Sequence, residues 1–228
     1  MQIGIIGSSV VGQTLATKLL EVGNEVMISS RHPLENKETM GGKLPSPVEW
    51  AKIQSEKGHK ASAGSFEATA QFGELIFNCT AGMHSLEALN SAGGDNLIGK
   101  ILIDVANPLD FSNGMPPSLS VCNTDSLGEQ IQKAFPKVKV VKTLNTVSAL
   151  VMVNPSLVPG ESDIFIAGND EETKKWVKEK VLQKWFGWKS VVDLGDITGA
   201  RATEMYLPLW LRLWGNVQTP NFNIKIIS

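Results

Sequence analysis

Two hydrophobic rhythms alternate along the chain. Short unbroken apolar runs mark strands buried on both faces, and apolar residues at every third or fourth position mark amphipathic helices. The first run, Ile3, Ile5 and Ile6, predicts a strand. After Gly7-Ser8-Ser9 a helix starts at Val10, with Val11, Leu15 and Leu19 on its apolar stripe and Lys18 and Glu21 outside it. Gly23 stops this helix, and Asn24 turns the chain into a second strand that ends on Ser29, Ser30 and Arg31. A polar, mobile loop is expected over 32–43. Ser46-Pro47-Val48-Glu49 reads as an N-cap, a first-turn proline and a capping-box glutamate, so a helix runs to Lys57 and stops at Gly58. Further strands are expected at 59–63, 75–79, 101–105 and 138–142. Helices lie between them at 66–72, from Ser85, and from the capping box Ser126-Leu127-Gly128-Glu129 to Phe135, with an irregular loop over 107–123.

This alternation predicts an α/β fold, a Rossmann-type doubly wound and mostly parallel sheet. Residues 1–150 form its main part, and 151–228 a small C-terminal α/β extension. The extension holds a strand at 163–167, a helix capped by Asp170 and running to Phe186, and a strand at 190–194. A final helix contains Met205, Leu207, Leu209, Trp210, Leu211, Leu213 and Trp214, and Pro208 either begins or kinks it. Because it is apolar on most sides, it reads first as a buried core helix. A dimer interface or an aromatic wall against a flat cofactor are the alternatives.

Ligands of doubly wound sheets sit beyond the carboxyl ends of the strands, so 7–12, 29–32, 79–84, 105–110 and 143–148 should converge on one crevice. The first of these segments carries specific chemistry. Strand, glycine turn and helix in that order present open N–H groups and a positive dipole end to the pyrophosphate of a dinucleotide. Gly7 permits the turn, Gly12 lets helix and strand approach, and Val10 and Val11 open the helix. The middle glycine of the G-x-G-x-x-G pattern is Ser9, whose Cβ narrows the approach of the phosphates while its hydroxyl offers a donor. A second strand ending on Asp or Glu would accept the ribose hydroxyls of NAD. This one ends on Ser29, Ser30 and Arg31, two hydroxyls and a fixed cation suited to the 2'-phosphate of NADP.

Composition narrows the class without naming a reaction. With 228 residues, 42% hydrophobic and 19% charged, the chain is an ordinary globular protein. A net charge of −2 gives no reason to expect nucleic acid or an anionic membrane surface. No apolar run is long enough to span a bilayer, and a core strand at the N-terminus leaves no room for a signal peptide. Cys79 and Cys122 lack metal or C-x-x-C spacing and read as reduced cytoplasmic thiols. No metal constellation is evident.

Acid–base groups are scarce where hydride chemistry on an alcohol or ketone would need them. The single tyrosine, Tyr206, has no lysine four positions later. The next lysines after Lys142 are Lys174 and Lys175, expected on a solvent-facing helix. This points to an acceptor with its own electronics, such as a flavin-like ring, for which the protein supplies position and environment. His84 is the histidine of the expected crevice, either bonding a cofactor or substrate or simply flanking a helix start. Asn107 and Asn145 follow the fifth and sixth strands and could orient a nicotinamide carboxamide, although an Asn-Pro turn explains Asn107 equally well. Asp104 and Asp110 are too far apart in sequence to read as a catalytic pair.

The glycine turn with its Ser-Arg ending, Leu144-Asn145-Thr146, and Asp193-Leu194-Gly195 followed by Ala200-Arg201, Glu204 and Leu207-Pro208-Leu209 together resemble one family. It is the coenzyme F420-dependent NADP oxidoreductases, which are similar in turn to the NADPH-binding domain of the STEAP metalloreductases. The resemblance implies reversible hydride transfer between NADP(H) and a deazaflavin, a small-molecule co-substrate bound in a cleft beside a small C-terminal part, usually in a homodimer. It implies that Gly7, Ser8, Ser9, Val10, Val11 and Gly12 hold the pyrophosphate and that Ser29, Ser30 and Arg31 hold the 2'-phosphate, with Lys37 as a candidate second cation. Thr80, Ala81, Gly82, His84, Asn107, Leu144 and Asn145 would then line the nicotinamide side. Two other readings stay open: an NADP-binding redox sensor without turnover, and an imine or carbonyl reductase in which His84 or water supplies the proton.

Overall fold

The computed structural model describes residues 1–32, 35, 37–39 and 42–227, leaving aside the side chains of 37–39 and 42. β1 (Gln2–Ile6) leads through the glycine turn into α1 (Val10–Glu21) and β2 (Glu25–Ser29). A hairpin of β3 (Lys37–Thr39) and β4 (Gly42–Leu44) follows where a loop was expected. Next come α2 (Pro47–Glu56), β5 (Ala61–Gly64), α3 (Phe66–Phe72) and β6 (Leu75–Asn78). The Ser46 hydroxyl accepts from Glu49 N–H and Ser65 from Ala68 N–H, so both helices start on the caps their sequences carry.

After β6 a single 3₁₀ turn enters α4 (Ser85–Ser91), then α5 (Gly94–Leu97) and β7 (Ile101–Asp104). The 107–123 stretch contains a short ribbon of β8 (Leu109–Asp110) and β9 (Ser118–Leu119). α6 (Leu127–Ala134), β10 (Lys139–Thr143) and α7 (Ala149–Val153) complete the first part. β11 (Asp163–Gly168), α8 (Glu171–Trp176) with a π-helical continuation over Val177–Trp185, β12 (Ser190–Asp193), α9 (Ala200–Met205) and α10 (Leu207–Val217) make up the rest.

Among the described residues the main sheet has eight strands in the order β12-β11-β10-β7-β6-β1-β2-β5. All neighbours are parallel except β10 and β11. Strand order reverses at β1, the switch point where such sheets open a crevice. β11 and β12 extend this same sheet. The core occupies both faces: Ile3 and Ile5 of β1 pack on one side with Leu15, Leu19, Val151 and Val181, and Ile6 on the other with Ile76, Leu89, Leu102 and Ile131. Each is at or near zero exposure, a burial worth roughly 1.5–3 kcal/mol per side chain.

Two expectations are corrected. The final apolar helix is not a buried core helix. α10 buries Leu207 and Trp210 but leaves Leu209 55% exposed, because it is packed by the terminal tail, with Trp210 stacked on Phe222 at 5.4 Å, and not enclosed on all sides. Pro208 begins this helix in its first turn. Lys174 is buried, not solvent-facing, because the turn after β12 folds over α8 and its ammonium donates to Asp193 and to the Gly195 carbonyl, both at 2.9 Å.

Candidate functional site

The crevice starts at the glycine turn. Gly7 has φ +109°, and a Cβ there would sit 2.6 Å from the Cys79 carbonyl carbon and oxygen of the neighbouring strand end. A Cβ on Gly12 would lie 2.1 Å from the Gly7 carbonyl oxygen. Both positions therefore require glycine, and together they hold the start of α1 against the end of β1. Ser9 occupies the N-cap position without capping the helix, and its hydroxyl donates to the Cys79 carbonyl at 3.4 Å. The Ser8 hydroxyl is buried and has no hydrogen-bond partner. Val10 is exposed at the head of α1, and Val11 packs on the core.

At the end of β2 the three candidates separate. The Ser29 hydroxyl is committed to the Ile5 carbonyl at 3.1 Å. The Ser30 hydroxyl is buried and unpartnered, and Arg31 projects outward, half exposed. Ser8, Ser9, Ser30, Arg31, Thr80, Ala81 and His84 all line one cavity of about 160 Å³, with Phe66, Glu87 and Ala88 beside them. Arg31 Nη1 and His84 Nδ1 approach the same Glu87 Oε2 at 3.9 and 3.6 Å. The Lys37 side chain lies outside the described residues.

A second group gathers at the ends of β6, β7 and β10. Gly82 N–H donates to the Asn107 carbonyl at 3.1 Å, and a Cβ on Gly82 would meet that oxygen at 2.1 Å. Asn107 Nδ2 donates to the Asn145 carbonyl, and Asn145 Nδ2 to Asn107 Oδ1, each at 2.9 Å. The Asn145 Oδ1 and Thr146 hydroxyl oxygens remain buried without partners. Leu144 buries its side chain completely at φ +65°, a conformation costly for a non-glycine residue, so its backbone and not its side chain faces this turn.

Beneath these loops runs a polar row that the sequence reading did not assemble. Asn78, Asp104 and Lys142 are register neighbours at the ends of β6, β7 and β10. Lys142 Nζ donates to Asp104 Oδ2 at 2.8 Å and to the Ala106 carbonyl at 2.5 Å, and pairs with Glu204 Oε1 at 2.8 Å. Asp104 Oδ1 accepts from Asn78 Nδ2 at 2.8 Å, and Asn78 Oδ1 accepts from the Thr80 hydroxyl at 2.8 Å. Glu204 also caps α6 by accepting from Leu127 and Gly128 N–H at 2.8 and 3.0 Å. Burial alone would pull Lys142 down, but the Asp104 and Glu204 carboxylates hold it above its ordinary value. It is a fixed cation. The signal was present as apolar runs that each end on a polar residue: Leu-Ile-Phe-Asn, Ile-Leu-Ile-Asp and Val-Val-Lys.

Burial, helped by Asp104, pushes the Cys79 thiol up, which makes it a poor nucleophile. Among the described residues no group of His, Cys, Asp or Glu is placed to hold a metal ion, and no helix is long and apolar enough to cross a membrane. The cavity thus combines a helix start, orphaned hydroxyls at Ser8 and Ser30, and a cation beside them, a set of groups that suits an anion.

Residues 2–108 match the family described as NADP oxidoreductase, coenzyme F420-dependent. Over its whole length the chain is 45% identical to a solved protein of Arthrobacter sp. FB24 provisionally named an F420-dependent NADP-reductase, with a TM-score of 0.89 and complete coverage of both chains. The chain belongs to the coenzyme F420-dependent NADP oxidoreductase family. Members of this family are NADP-dependent oxidoreductases. Among curated proteins, the chain is 29% identical to the metalloreductase STEAP3 of Rattus norvegicus across 92% of its own length. It is 28% identical to the F420-dependent NADP reductase of Methanocaldococcus jannaschii across 59%. It spans 38% and 59% of the lengths of those two relatives. A reductive aminase of Aspergillus terreus, 17% identical with a TM-score of 0.64 over 95% of this chain and 62% of that one, shares the fold.

Proposed function

We propose that the chain binds NADP(H) along the carboxyl edge of its sheet and catalyses hydride transfer between NADP(H) and a deazaflavin, coenzyme F420. The observation that carries this reading is the convergence of the helix start, the unpartnered Ser8 and Ser30 hydroxyls and Arg31 on one cavity. Gly7 to Gly12 bind the pyrophosphate through backbone N–H groups, and Ser30 with Arg31 binds the 2'-phosphate. Ser29 supports this end through its strand contact. Asn107 and Asn145, locked to each other, present the free Asn145 Oδ1 to the carboxamide of the nicotinamide. Gly82 and the Leu144 backbone fix the turns around them.

When bound, NADPH supplies the hydride, and the acceptor takes its accompanying proton from solvent. The chain's own residues orient the two partners, which fits the scarcity of acid–base groups at the crevice. His84 stands with Arg31 and Glu87 on the cavity wall. The exposed apolar side chains Met205, Leu209 and Val217 support a homodimer.

The test is NADPH oxidation followed by absorbance under anaerobic conditions, with F420, FMN, FAD and ferric chelates offered separately. Turnover with F420 is expected. Tight NADPH binding without turnover on any acceptor would replace this reading by a redox-sensing module.

A further inference from the structure

Among the described side chains that line the Ser30–Arg31 cavity, Glu87 is the acidic one. Its Oε2 is approached by Arg31 at 3.9 Å and by His84 at 3.6 Å, so one carboxylate oxygen faces both side chains. We propose that Glu87 is a built-in competitor for the 2'-phosphate, which engages Arg31 when no phosphate is present and so sets the margin by which NADPH is preferred over NADH. This inference rests on the NADP reading of the cavity.

A phosphate held by the Ser30 hydroxyl and Arg31 brings at least one further negative charge beside Glu87, and like charges at such distances repel. Glu87 is 63% exposed and sits on the outer side of α4, so it can turn into water when a phosphate arrives. Losing Arg31 as a partner and tolerating the phosphate both weaken NADPH binding. NADH places a neutral hydroxyl at the same point and leaves the Glu87–Arg31 pair in place. His84, three residues before Glu87 and on the same carboxylate, belongs to this phosphate end of the site.

The experiment measures equilibrium binding of NADPH and NADH to the intact wild-type chain and to Glu87→Gln, Glu87→Ala and Arg31→Ala, at low and high salt. Both Glu87 variants should bind NADPH about two- to fivefold more tightly and NADH unchanged within error, the scale of an exposed pair. The gain should shrink as salt rises, because these groups are solvent-exposed. Unchanged or weaker NADPH binding in both Glu87 variants, with the wild-type preference intact, overturns the role of Glu87 alone. A wild-type chain without preference for NADPH, or equal losses for both cofactors in Arg31→Ala, overturns the underlying phosphate site instead.

Discussion

Replacing Lys142 by Met tests the polar row beneath the crevice. The ammonium is fully buried and contacts Asp104 Oδ2, Glu204 Oε1 and the Ala106 carbonyl. Met fills nearly the same volume but leaves two buried carboxylates without their cation. Asp104 keeps donors from Asn78 and Ala106 N–H, and Glu204 keeps those from Leu127 and Gly128, so the loss falls short of stranding two bare charges. Removing one partner from a buried pair costs about 3–5 kcal/mol. For a chain of this size that lowers Tm by about 6–20 °C.

The pH dependence gives a second handle on the same residue. Lys142 is held above its ordinary value, so its contribution is complete below the unfolded lysine value and is lost only as pH rises through the higher folded one. The wild type therefore keeps this stability across the neutral range. In Lys142→Met the two buried carboxylates face each other without their shared cation, so Asp104→Asn with Glu204→Gln should recover part of the loss at neutral pH. Denaturant unfolding of the variants across pH is the assay. A loss below about 1 kcal/mol would refute the reasoning.

Arg31→Ala should weaken NADPH by one to two orders of magnitude and leave NADH nearly unchanged in fluorescence titrations. The basis is an Arg–phosphate attraction of roughly 4 kcal/mol before desolvation. Gly12→Ala should abolish binding of both cofactors by calorimetry, since its Cβ would overlap the Gly7 carbonyl oxygen at 2.1 Å and force the turn open. Asp163→Asn should release the terminal tail to limited proteolysis. This carboxylate accepts from Ile226 N–H and pairs with Lys225, and although burial works against it, bonds from Ser190, Ile226 and Lys225 hold its value down. Its contribution is thus present above the unfolded carboxylate value and lost as pH falls through the lower folded one, so the wild-type tail should loosen only in strong acid.

The sheet was legible because β1, β6 and β7 are apolar runs, and Ser46, Ser65, Ser126 and Asp170 all cap as their local sequences require. The turn at Gly7–Gly12 was legible for the same reason, being a local steric requirement. The polar row was not, because Asn78, Asp104, Lys142 and Glu204 meet only through strand register and the return of α9. Lys174 was misjudged because its partners Asp193 and Gly195 lie across the next strand. The apolar C-terminal helix gave no local clue to which side would be covered. That depends on the tail residue Phe222 stacking on Trp210.

The central claim is NADP-dependent hydride transfer to a deazaflavin. The most direct measurement is the rate of F420 reduction, followed by loss of its visible absorption, with NADPH and with NADH as donors to the same wild-type preparation. Reduction is expected with NADPH, with a kcat/KM at least about tenfold lower for NADH, a difference of one Arg–phosphate contact. No reduction by either donor, or equal rates with both, would contradict it.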